Sequence, residues 1–189
     1  MKRLTYHSII FVLCSLTFVN FTRAQSTKTV NPQNFMDRYY EIKDTYHKLD
    51  KYYGQYAASS YPLVKFMERL NQIKAAYPRL AVIYGNYAGS EYTLEDFIEK
   101  YYEMKETYPA LISMCGPYAA SKYTMTDFIK RYYEAKDSEP ALAECYGQYA
   151  ASDRTLEDFS ARYFGAKDSN TGFKNGFGEY AGSTKKLAK

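Results

Sequence analysis

One phrase recurs along this chain at a fixed interval. It reads YGQYAAS from residue 53, YGNYAGS from 84, CGPYAAS from 115, YGQYAAS from 146 and FGEYAGS from 177. Successive starts lie 31 residues apart, with no insertion. A strict period of this length marks a chain built from one supersecondary unit. Each unit is too small to bury its own apolar face and is covered by its neighbours. An insertion inside an element would throw those faces out of register, so the constancy of the spacing limits the fold more than composition does.

The unit 84–114, YGNYAGSEYTLEDFIEKYYEMKETYPALISM, reads as two helices. In its longer half Leu94, Phe97, Ile98, Tyr101, Met104 and Tyr108 fall on one helical face. Thr93 stands at the N-cap with Asp96 three residues on, close to a capping box. Asp96 and Lys100, Asp127 and Arg131, and Asp158 and Arg162 repeat an acid-then-base pair at i, i+4, the spacing of a surface ion pair. Pro78, Pro109 and Pro140 follow; proline ends one helix and suits the first turn of the next. The shorter second helix carries a recurring glycine at 54, 85, 116, 147 and 178, read as a point of close helix–helix approach. Pro117 follows Gly116, so the third unit's short helix is expected to bend. Strands are not expected, because alternation is absent and Lys, Glu and Ala are frequent.

Gly85, Tyr101, Met104 and Pro109, and again Gly116, Tyr132, Ala135 and Pro140, keep one spacing. That spacing resembles the tetratricopeptide repeat pattern. The period here is 31, shorter than the usual 34 or so, and Phe97, Phe128 and Phe159 stand where that family places alanine. The resemblance implies stacked antiparallel helical hairpins and a peptide or protein partner held in a concave groove. The expected fold class is therefore all-α: a right-handed array of stacked antiparallel hairpins, an α-solenoid of 31-residue period. Units start near 53, 84, 115, 146 and 177, with a half unit at 33–52. Residues 177–189 carry only the front half of a last unit, and Lys185, Lys186 and Lys189 suit a polar end cap.

The chain opens MKRLTYHSIIFVLCSLTFVNFTRAQS. Lys2 and Arg3, a short apolar run over 8–21, and small residues at Thr22 and Ala24 have the layout of a secretory signal peptide. The expected organisation is a signal peptide over 1–24, a flexible leader over 25–32 and one helical-repeat domain over 33–189. The product would be secreted: extracellular, or periplasmic in a bacterium. The run is too short for a membrane span, and no later stretch is apolar enough for one. Three of the 25 Lys and Arg, and none of the 21 acids, fall in 1–24, so the rest is nearly neutral and no nucleic-acid surface is implied. Cys115 and Cys145 remain after processing; in an oxidising compartment an even count predicts a disulfide between them. No His or second Cys pair at ligand spacing accompanies them, so no metal or other cofactor is expected.

No catalytic constellation is legible. His47 is the one histidine after residue 24, and the recurring Ser59, Ser90, Ser121, Ser152 and Ser183 have no base travelling with them. Lys43, Lys74, Lys105, Lys136 and Lys167 also recur at one phase; a solvated face and an anion-binding stripe both fit them. The strongest anomaly is 23 tyrosines with no tryptophan. Tyr101 and Tyr132 fall on the apolar face, whereas Tyr102 and Tyr133 lie a further 100° or so around the helix and are expected outside. Tyr56, Tyr87, Tyr118, Tyr149 and Tyr180 would form an aromatic ladder. Three uses stay open for it: packing, a rigid binding surface for a protein, peptide or glycan, and oxidative crosslinking. The reading that follows is a secreted, non-enzymatic scaffold whose protein or peptide partner lies along a tyrosine-rich face. The alternative is a crosslinked matrix protein.

Overall fold

The computed structural model describes residues 34–169 and 175–187. The expected signal peptide and leader lie outside these residues. Among the described residues the chain forms ten α-helices and no strand. Long helices α1 (Phe35–Thr45), α3 (Leu63–Ala76), α5 (Leu94–Thr107), α7 (Met125–Ser138) and α9 (Leu156–Ser169) alternate with six-residue helices. These are α2 (Tyr53–Ala58), α4 (Tyr84–Gly89), α6 (Cys115–Ala120), α8 (Tyr146–Ala151) and α10 (Phe177–Gly182). A 3-10 turn leads into each of α2, α4, α6 and α8.

Helices α1, α5 and α7 start where side chains can satisfy their first free N–H groups. Asn34 accepts from the Asp37 N–H, Thr93 from Asp96 and Thr124 from Asp127. Pro109 and Pro140 open the 3-10 turns that follow α5 and α7. The expected bend at Pro117 does not occur. Because α6 begins at Cys115, Pro117 falls in its first turn, where the missing N–H has no intrahelical partner to lose.

Each long helix runs antiparallel to the short helix after it. At one end Arg38 in α1 reaches the carbonyls of Tyr56 and Tyr61; at the other the Tyr53 hydroxyl reaches the Tyr46 carbonyl. This pattern repeats. Arg69 donates to the carbonyls of Tyr87 and Tyr92, Lys100 to those of Ser121 and Tyr123, Arg131 to those of Tyr149 and Arg154, and Arg162 to those of Tyr180 and Lys185. One cation per unit thus satisfies the carbonyls left over where a short helix ends. The same cation lies over the tyrosine ring of that helix, at 4.2–4.8 Å from the centroid in Arg69–Tyr87, Lys100–Tyr118, Arg131–Tyr149 and Arg162–Tyr180. The surface pairs expected between Asp96 and Lys100, Asp127 and Arg131, and Asp158 and Arg162 are therefore not the arrangement found. These bases turn inward, and Asp158 pairs with Arg154 at 2.8 Å instead.

The short helices lie parallel to one another. Gly85, near the start of α4, faces Tyr52 and Gln55, and Gly89, at its end, faces the Gln55 carbonyl and Ser59. A Cβ on Gly116 would stand 2.7 Å from Asn86 Oδ1, and one on Gly147 2.9 Å from Met114 Sδ, so the recurring glycine is where neighbours approach too closely for a side chain.

The succession does not end at two free caps. Helix α2 packs on α4, α4 on α6, α6 on α8, α8 on α10, and α10 on α2. Gly54 meets Gly176 and Glu179 as Gly85 meets Tyr52 and Gln55. The Phe35 N–H donates to the Lys186 carbonyl at 2.9 Å, the bond that Phe97 makes to Thr93 within the array. The expected open solenoid, with a lone helix at one end and a lysine cap at the other, is thus corrected. The front half unit at the C-terminus and the back half unit at the N-terminus meet, and five short helices close around a common centre.

Candidate functional site

The five ladder tyrosines point into the protein. Tyr56, Tyr87, Tyr118, Tyr149 and Tyr180 are 0–7% exposed, and each ring meets a phenylalanine of the next long helix edge to face. Four of the hydroxyls are satisfied from the preceding long helix. Tyr56 donates to Glu41, Tyr87 to Gln72, Tyr118 to Glu103 and Tyr149 to Glu134. Burial, and then the carboxylate each donates to, pushes the phenols of Tyr56, Tyr118 and Tyr149 up. As a continuous binding surface these five residues are corrected: they are core, each ring packed on a phenylalanine, and in four of them the hydroxyl finds a partner that lets the whole ring be buried.

Tyr102 and Tyr133 lie outside, at 36% and 43% exposure, with Tyr40 at the equivalent position of α1 at 38%. Each stands edge to face on a buried partner: Tyr39–Tyr40, Tyr101–Tyr102 and Tyr132–Tyr133, at centroid separations of 5.9, 5.2 and 5.1 Å. Lys43, Lys105 and Lys136 lie over those outer rings at 5.2–5.4 Å. The recurring lysine is thereby held on an aromatic face, with Lys74 over Tyr52 and Lys167 over Tyr163. Exposed apolar side chains on the turns, Val82 and Ile112, add to the surface of the early units.

The expected disulfide is not formed: Cys115 and Cys145 are free and buried. The reason is their placement. Cys115 opens α6 and neighbours Tyr101 of α5, whereas Cys145 precedes α8, neighbours Tyr163 of α9 and packs against Gly178. Burial raises both thiols, that of Cys145 to about 12, so both are protonated near neutrality. The serines of the repeat are structural. Each of Ser59, Ser90, Ser121, Ser152 and Ser183 donates its hydroxyl to the tyrosine carbonyl three residues before, at 2.8–2.9 Å. His47 is exposed, with Nδ1 against the Lys43 carbonyl. Among the described residues no group of His, Cys, Asp and Glu is placed to hold a metal ion, and no helix is long and apolar enough to cross a membrane.

Sequence reading missed the centre of the molecule. A cavity of about 270 Å³ is lined by all five short helices. Its inner ring is Gln55, Asn86, Pro117, Gln148 and Glu179, one residue per unit and polar except at Pro117; its collar is Ala58, Gly89, Ala120, Ala151 and Gly182. Beyond the collar it widens into a vestibule of about 640 Å³ edged by Glu91, Tyr92, Lys122, Asp153 and Arg154. Gln55 Nε2 at 3.0 Å and Gln148 Nε2 at 3.3 Å both donate to Glu179 Oε1. Enclosure by the neighbouring helices raises the Glu179 carboxyl above its ordinary value. The signal was present in the phrase itself. Its third residue is the one that changes character, Q, N, P, Q, E, while the Gly, Tyr, Ala and Ser positions around it stay fixed.

Compared with protein-family models, characterised proteins and solved structures, the chain matches none.

Proposed function

We propose that the chain is a secreted, non-enzymatic scaffold of tetratricopeptide-like 31-residue hairpins that binds a protein or peptide through the aromatic residues of its outer helices. The observation that carries this reading is the doublet Tyr101–Tyr102, repeated as Tyr132–Tyr133. One ring is buried and fixes the other, which stands at the surface under a lysine. A ring already held in place loses little freedom when a partner covers it, and tyrosine offers both apolar area and a hydroxyl. Affinity capture from the native extracellular fluid, using wild type and the Tyr102→Ala/Tyr133→Ala variant, tests it. A partner retained by wild type and lost by the variant supports the reading; an identical retained set removes it.

The exposed phenols of Tyr102 and Tyr133 favour one second reading, a matrix protein crosslinked through tyrosine. It predicts dityrosine fluorescence in the native material, with the coupled residues confined to the exposed set and the buried ladder unmodified.

A further inference from the structure

We propose that the central cavity is a binding site for a small aliphatic primary ammonium ion, whose charged head sits against Glu179, Gln55 and Asn86 and whose alkyl chain passes up through the small-residue collar. In a repeat array the fixed positions hold the fold, and the position that varies is free to serve something else. Here the varying third residue of the short helix is the one that faces the cavity in all five units.

The chemistry of the ring selects the ligand. Glu179 is the single acidic group in the lining, and among the described residues no lysine or arginine lines the cavity. Its Oε1 already accepts two amide hydrogens, from Gln55 and Gln148. Gln55 Oε1 is sealed from solvent and accepts no hydrogen bond among the described residues. Asn86 presents its side-chain carbonyl close to Gly116 on the same ring. The site therefore offers one carboxylate, the Asn86 carbonyl and the Gln55 carbonyl, the last without a donor among the described residues. An ammonium head supplies three N–H donors and a positive charge, which together satisfy that set. Pro117, Ala120 and Ala151 form the apolar wall along which a short alkyl chain lies. A divalent metal is poorly served by a single carboxylate among amides. The vestibule beyond the collar gives a route in. The neighbouring helices that raise the Glu179 carboxyl also leave its negative charge poorly solvated, and a cation in the cavity would offset that.

The test is calorimetric titration of the protein with n-butylammonium chloride. The comparison variant is Glu179→Gln, which copies the residue that the first and fourth units carry at this position and so leaves the fold intact. Saturable binding by wild type, weakened at least tenfold in the variant, is expected. Equal binding by the variant, equal binding of n-butanol, or binding of potassium ion alone with the same dependence on Glu179 would each overturn the assignment, as would the absence of saturable binding to wild type.

Discussion

Phe35 and Tyr180 pack edge to face with ring centroids 5.4 Å apart. They come from opposite ends of the chain, yet they form the same pair as Tyr56–Phe66, Tyr87–Phe97, Tyr118–Phe128 and Tyr149–Phe159, whose separations are 5.3–5.5 Å. The seam is thus a fifth copy of a contact that the chain makes four times internally. In this ring pair it matches the other four, although no short loop joins the two helices across it.

That equivalence predicts tolerance of rewiring. Because the Phe35 N–H bonds to the Lys186 carbonyl, a short linker can join 187 to 34. A circular permutant opened between Ser60 and Tyr61, in the loop after α2, should then fold with a thermal midpoint within a few degrees of the parent. Thermal unfolding followed by circular dichroism checks this. A permutant that does not fold would show that the seam differs from the other four interfaces.

The inward cation should matter more than its charge pattern suggests. Arg131→Ala removes hydrogen bonds to the Tyr149 and Arg154 carbonyls together with the contact to the Tyr149 ring. We expect a loss of about 2–4 kcal/mol in urea unfolding, since hydrogen bonds from charged groups contribute about 1.5–3 kcal/mol each; the Tyr149 carbonyl keeps its bonds from Ser152, whereas the Arg154 carbonyl loses the guanidinium. Arg131→Lys should lose less, because Lys100 does the same work in the third unit.

Glycines of the two classes should respond oppositely. Gly116→Ala places a Cβ 2.7 Å from Asn86 Oδ1 and is expected to destabilise, whereas a Cβ at Gly165 meets nothing within 4 Å. Gly165→Ala should stabilise α9 by about 1 kcal/mol through helix propensity. Gly165→Glu should do at least as well: it occupies the place of Glu103 and Glu134, and among the described residues the Tyr180 hydroxyl has no acceptor on that helix. Denaturation midpoints of the three variants decide the point.

Stability should fall on the alkaline side. An unfolded thiol titrates near 9.0, whereas folding moves Cys145 to about 12. The folded chain therefore keeps a proton that the unfolded chain gives up. This contribution is intact below the unfolded value and is lost as pH rises through the folded one. The raised phenols of Tyr118 and Tyr149 act in the same direction. Urea midpoints measured between about pH 8 and about pH 11 should decline, and less steeply in Cys145→Ala. Both thiols should also resist alkylation until the protein unfolds.

The helical character, the Thr93 cap and the close approach at Gly85 and Gly116 were legible because each is a local matter of period, cap or missing side chain. Closure was not. A 31-residue period keeps neighbours in register but does not set the turn from one unit to the next. That turn depends on how near short helices come at contacts such as Gly116 on Asn86. The complementary half units at 33–52 and 177–189 were the available hint. The ladder tyrosines were misplaced for a different reason. Burying a phenol needs a partner, and the partners Glu41, Gln72, Glu103 and Glu134 lie 15 residues away on another helix, beyond the reach of a helical-face argument. The central cavity escaped because its lining is assembled from all five units and exists only once they close.

The closed arrangement itself is tested most directly by spin-label distances among equivalent loop positions, in a background where Cys115 and Cys145 are replaced by Ala. Residues 60, 122, 153 and 184 follow α2, α6, α8 and α10. Electron–electron resonance should give the same distance for 60/184 as for the adjacent pair 122/153, and a longer one for 60/122. A 60/184 distance that is the longest of the three would contradict the ring.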